Sequence, residues 1–226
     1  MCGDRWLEEL DSPVPRNYRD AYQRACSQMK DRDPAIDADT AGVSYTGLGG
    51  GQGRFEIPLL NRTYEISWPD LQVGEAGSGA EPSYVVQLLL LHYLITADGI
   101  AVRGQWVSFR DLPAGRVYYP AFRSGSEERL LARFGDDVAA LQAAAQALGG
   151  RPIDLANHGF VFQVLPRLPI AVLLWKGDEE FPPEVQILFD SSAANYLPTE
   201  DLAVIARYLC GCLLKAVKTS EVSGAP

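Results

Sequence analysis

A chain of 226 residues, 47% hydrophobic and 22% charged, carries enough apolar material for one sizeable core or two small ones. Its 29 acidic against 20 basic side chains give a formal net charge of -9, which argues against a general nucleic-acid binder and against electrostatic docking on anionic membranes. The first ten residues hold no apolar stretch of signal-peptide length, and the longest apolar run, residues 85–95, is too short to span a bilayer.

A cytoplasmic location is therefore expected, with Cys2, Cys26, Cys210 and Cys212 reduced. Tyr18, Ala21, Tyr22, Ala25, Cys26 and Met29 recur at helical spacing and predict a helix that closes before Pro34. The glycine run "GLGGGQG" at residues 47–53 reads as a mobile connector, because no strand-then-helix context or Lys-Ser/Thr pair makes it a phosphate cradle. Phe55, Ile57 and Leu59, then Tyr64, Ile66 and Trp68, alternate across a short polar break and predict an antiparallel hairpin.

Residues 71–82 read as a loop and residues 83–96 as a helix apolar nearly all round, hence central. "QWVSF" and "RVYYPAF" are candidate strands. Ser126 is placed to cap a short helix through Phe134, and a second helix runs from Val138 to the glycine pair at 149–150. Strands are predicted at 160–165, 170–175 and 184–190. A last helix buries Leu202, Ile205, Leu209 and Leu213 and opens with Glu200 and Asp201, which suit the positive end of the helix dipole.

This order predicts an α+β fold with a mainly antiparallel sheet packed against several helices. One domain is expected over 1–226, with an N-terminal helix and hairpin at 16–70, central helices and strands at 83–150, and a three-strand segment and helix at 158–217.

The candidate chemistry lies in three places. "WKGDEEFPP" presents Asp178, Glu179 and Glu180 between Trp175 and Phe181; with Asp190 they are candidates for an acid/base pair or a cation ring, against the alternative of a solvated hairpin tip. The segment around "RGQWVSFRDL" and "RVYYPAF" offers Trp106, Arg110, Tyr118 and Tyr119 as a pocket for a flat or anionic ligand, against ordinary core packing. His158, ahead of a strand, is freer to act than His92 inside the apolar helix. No metal site is assigned: the Cys210-x-Cys212 pair cannot chelate one ion on a regular helix, and the paired spacing of a structural zinc is absent.

Two stretches, "LLLLHYLITADGIAVRGQWVSFRDLPAGRVYYPAF" and "LPIAVLLWKGDEEFPPEVQILFDSSAANYLPTEDL", resemble a domain-of-unknown-function family, number 3786, of anaerobic microbes. The resemblance covers most of residues 55–214, and members sometimes stand beside or are fused to iron–sulfur modules. It implies a setting in the anaerobic metabolism of metal or corrinoid cofactors. It assigns no activity and no catalytic residue, and this chain lacks the four-cysteine runs of the fused relatives.

The expected function is a ligand-binding or accessory protein that holds a small molecule or a tetrapyrrole, corrinoid or metal-containing cofactor near "QWVSF" and "WKGDEEF". In this reading Trp106 and Tyr119 stack, Arg110 pairs an anion, and Asp178 or Glu180 gates or coordinates. The alternatives are a carboxylate acid/base enzyme using Glu179, Glu180 or Asp190 with His158, or an interaction module without ligand. The cofactor's identity, any protein partner and whether the chain is an enzyme stay open.

Overall fold

Two antiparallel sheets are built from alternating apolar sequence, of four and five strands, in the order β1-β2-β3-β4 and β5-β9-β8-β7-β6. The computed structural model describes residues 16–223, with side chains from 19 to 217. The α+β class is as expected from sequence. The chain folds as two units, one of residues through Ile100 with Asn195–Leu197, the other of Ala101–Ala194 and the chain from Pro198 on.

The first unit begins with α1 (Arg16–Met29), which buries Ala25 and Met29. Pro34 does not merely follow a helix end but opens α2 (Pro34–Ala41). Asp33 caps it by accepting from Ala35 N at 2.9 Å, and proline in the first turn forfeits no hydrogen bond. β1 (Ser44–Gly49) and β2 (Gln52–Leu59) form a hairpin whose tip is the glycine run. That run is thus strand and turn, not a connector; Gly49, Gly50 and Gly51 all have positive φ, which the tight reversal requires.

β2 pairs with β3 (Arg62–Trp68), as predicted, and buries Phe55, Ile57, Leu59, Tyr64 and Ile66. A short β4 (Val73–Glu75) lies within the expected loop. α3 (Tyr84–Thr96) is buried from Val86 to Leu91 and again at Tyr93 and Leu94, in keeping with its all-round apolar sequence. Tyr93 donates to the Ala41 carbonyl at 2.7 Å, which gives its buried hydroxyl a partner.

The second unit starts with β5 (Trp106–Ser108) and a single 3-10 turn at Phe109–Asp111. The segment "RVYYPAF", expected as a strand, is instead helix α4 (Gly115–Gly125). Its β-branched and aromatic residues mislead, because Val117 and Tyr118 are exposed while Tyr119 and Phe122, three apart, share the inward face. α5 (Glu127–Phe134) follows; Ser126 does not cap it through its side chain but donates its hydroxyl back to the Phe122 carbonyl.

α6 (Val138–Ala147) leads through β6 (Arg151–Pro152) to the predicted β7 (His158–Leu165), β8 (Leu168–Trp175) and β9 (Glu184–Asp190). α7 (Thr199–Ser223) buries Leu202, Ile205, Leu209 and Leu213 completely. Strand alternation gives this sheet two faces. Val185, Ile187 and Phe189 of β9 turn to the helical side, where Phe109, Phe122 and Phe189 cluster with centroids 4.1 to 6.1 Å apart. The other face carries Val161, Ala171 and Leu173, with Trp106, Trp175, Ile153 and Leu188 packed around them.

Candidate functional site

β5 is only three residues long and covers β9 from Leu188 to Asp190. Among the described residues the rest of β9 on that side has no strand partner, so its backbone donors need another acceptor. Glu127, the first residue of α5, supplies one: its Oε1 accepts from Ile187 N at 3.0 Å. Its Oε2 accepts from the Tyr119 hydroxyl at 2.9 Å. Glu127 as a whole is only 4% exposed. Burial pushes its pKa up, against the opposing pull of the Ile187 N–H, the Tyr119 hydroxyl and the nearby Arg123 and Arg110.

Burial likewise raises the Tyr119 phenol, and the hydrogen bond to Glu127 adds to it while Arg110 opposes it. The Arg110 guanidinium lies over the Tyr119 ring, 3.9 Å from its centroid. Arg110, Tyr119, Arg116, Ser108, Asp111 and Pro120 line an open cavity of about 430 Å³. Asp111 is already engaged, accepting from Ser108 N at 3.2 Å and Ser108 Oγ at 2.8 Å. Arg110 and Arg116 make no ion pair among the described residues. The turn that presents Arg110 depends on Gly115, where an added Cβ would fall 1.8 Å from the Phe109 carbonyl oxygen.

Of the residues singled out from sequence, Arg110 and Tyr119 are therefore brought together. Tyr118 is exposed on α4, and Trp106 sits on the opposite face of the sheet. Trp175 pairs with Glu184 and Trp106 with Asp190, so the two tryptophans stand at opposite ends of β9, about 20 Å apart along the strand. Both tryptophans pack against the Val161, Ala171 and Leu173 cluster, from its two ends. His158, half-buried, starts β7 opposite Leu174 and lines a separate cavity with Asn157 and Asp154.

The acidic tip is exposed. Asp178 accepts from Phe181 N at 2.8 Å and Glu180 N at 2.9 Å, and these two N–H groups hold its carboxyl below the usual range. Glu180 is exposed beside it. Asp190 is at the far end of β9 from this tip and fully buried. It accepts from Arg103 N (3.0 Å), Gly104 N (2.6 Å), Ser192 N (2.9 Å) and Ser192 Oγ (2.6 Å). Burial alone would raise its pKa, but these hydrogen bonds outweigh it and hold the carboxylate ionised. Asp190 thus clamps the chain entering β5 to the chain leaving β9. Among the described residues no group of three or more His, Cys, Asp or Glu side chains could hold a metal ion. Cys2 lies outside the described residues, and Cys26, Cys210 and Cys212 form no disulfide among the described residues.

The family model described as "Domain of unknown function (DUF3786)" matches residues 33–211. The chain belongs to the DUF3786 family. The match takes in both sheets of this DUF3786 chain, Glu127 and the Arg110 cavity included. No curated protein and no solved structure matches it. No helix among the described residues of the DUF3786 protein is long and apolar enough to cross a membrane.

Glu127 is the member of this site that sequence reasoning does not reach. Two acidic residues, Glu127 and Glu128, open α5, and both suit the helix dipole. Only the packing of α5 against β9 separates the buried one from the exposed one.

Proposed function

We propose that this DUF3786 chain is a ligand-binding or accessory protein that holds a small anionic molecule at Arg110 and Arg116. The observation that carries this reading is a cavity of about 430 Å³ with two cationic walls in no ion pair among the described residues, one resting on a tyrosine hydrogen-bonded to a buried glutamate. Such fixing lowers the ordering cost of binding, because Arg110 need not surrender free rotation when the ligand arrives. A planar guanidinium offers two parallel donors to a carboxylate or phosphate. The peripheral side-chain carboxylates of a tetrapyrrole fall within that class, which joins the site to the corrinoid or metal-cofactor setting of anaerobic microbes implied by the resemblance.

Calorimetric titration of the full chain with succinate, inorganic phosphate and a porphyrin dicarboxylate tests the proposal. Binding of at least one, weakened about tenfold or more in Arg110→Gln, is expected. Absence of binding by all three, or an unchanged affinity in the variant, overturns it. Protein purified without oxygen from a host supplied with corrinoid, iron and nickel adds a direct readout: a visible absorption band with matching mass excess identifies a tetrapyrrole as the ligand.

A second reading, acid/base catalysis, rests on the raised carboxyl of Glu127 in contact with Tyr119. Here Glu127 and Tyr119 hold and pass a proton at the cavity wall, in place of the carboxylates of the acidic tip. It requires Glu127→Gln to bind the ligand as wild type does but to leave it chemically unchanged, where wild type converts it. Release of unaltered ligand by wild type excludes it.

A further inference from the structure

We infer a second ligand site, on the sheet face turned away from the helices, that takes a planar aromatic carboxylate bearing an N–H donor. A cavity of about 370 Å³ crosses this face, within the range of about 300–1,000 Å³ for small-molecule pockets. Its floor comes from the central strands, with Val161 and Gln163 of β7, Pro169 of β8 and Asp190 of β9. Its walls come from the two edges, Trp106 on β5 and Arg151 on β6. Four strand spacings separate those edges, about 19 Å at about 4.8 Å each, and the two long side chains line the same cavity across that interval.

Each recognition element has an open valence. Trp106 is half-buried, packed on Val161, Ala171 and Leu173, and offers a rigid aromatic surface. Arg151 is exposed and its side chain has no ion pair or hydrogen bond among the described residues, so its fork is open to a carboxylate. Asp190, although in the floor, does not compete for Arg151, because its oxygens already accept from Arg103, Gly104 and Ser192. Gln163 directs its Nε2 to the Leu165 and Pro166 carbonyls at 2.8 and 3.1 Å, which fixes the amide and leaves Oε1 as an acceptor. Aromatic wall, cation and acceptor together select a flat ring with a carboxylate on one side and an N–H on another. An aliphatic acid or a phosphate lacks the ring.

The test uses 4-aminobenzoate as probe, with benzoate and aniline as controls, titrated calorimetrically into the full chain. Tighter binding of 4-aminobenzoate than of either control is expected. In an Arg110→Gln background, which removes carboxylate binding at the other cavity, Arg151→Gln, Trp106→Leu and Gln163→Leu each weaken it, the first by about tenfold or more. Arg151 is exposed, so its variant keeps the wild-type melting temperature and a lost affinity is read as a lost contact. Failure of 4-aminobenzoate to bind at millimolar concentration overturns the inference, as does unaltered binding when Arg151→Gln is added to the Arg110→Gln background. Loss in Arg110→Gln with retention in Arg151→Gln also overturns it, by assigning the probe to the Arg110 cavity; absence of succinate or phosphate binding at that cavity leaves this inference standing.

Discussion

Replacing Glu127 by alanine removes the acceptor of a buried strand amide, and the size of the effect follows from its two hydrogen bonds. The Ile187 N–H is left buried without a partner, at a cost of about 1–3 kcal/mol, while the half-buried Tyr119 hydroxyl loses a bond worth about 0.5–1.5 kcal/mol. Relief from burying a carboxyl offsets part of this, which leaves about 2–3 kcal/mol. For a chain of this length that is a fall in melting temperature of about 4–12 °C. Glutamine retains an acceptor for Ile187 N and donates its amide to the Tyr119 oxygen, so Glu127→Gln loses about 1 kcal/mol or less at neutral pH. The pH dependence has a definite sign. Because the folded carboxyl titrates above its ordinary 4.5, its favourable contribution is complete below about that pH and is lost as pH rises through the folded value. Wild type therefore loses stability relative to Glu127→Gln between pH 4.5 and the raised value. Urea denaturation of the three proteins at several pH values measures this. An alanine variant within 0.5 kcal/mol of wild type, or a glutamine variant as costly as alanine, refutes the view that an acceptor is what β9 needs there.

Asp190→Asn sets an amide NH₂ against the backbone donors of Arg103, Gly104 and Ser192, and a loss of about 2–3 kcal/mol at neutral pH is expected in urea denaturation. The Asp190 carboxyl titrates below its ordinary 3.8, so its contribution is present above that value and is lost as pH falls through the folded value. The gap between wild type and the variant therefore narrows below pH 3.8, and a gap that widens there counts against the clamp. Cys210 is buried in α7 and burial pushes its thiol up, so iodoacetamide at about pH 8 leaves it unlabelled until denaturant is added. Peptide mass spectrometry showing early labelling of Cys210 contradicts that packing.

The parts of the fold legible in the sequence are those where burial and periodicity agree. The hairpin of Phe55 to Trp68, the all-apolar α3, the run of β7, β8 and β9 and the stripe of α7 each announce one period clearly. α4 was not legible, because Val117, Tyr118 and Tyr119 have strand propensity and Pro120 breaks helical expectation, whereas the packing of Tyr119 and Phe122 decides the matter from outside the segment. The candidate site was half legible. Arg110 and Tyr119 stood out by residue type, but nothing local separates Glu127 from Glu128, or tells that Trp106 leaves them for the opposite face. The four donors to Asp190 come from positions as far as 87 residues away, a separation that no short motif records.

The brevity of β5 has a consequence for how the chain avoids its own copies. An edge of β9 that β5 leaves uncovered before Leu188 is a template on which another chain can add a strand where its N–H groups are bare. With α5 in place, the Glu127 carboxyl occupies the Ile187 donor that such a strand would seek. A donor answered from within the chain is one that a second copy cannot use, so the shortness of β5 is matched by the placement of residue 127.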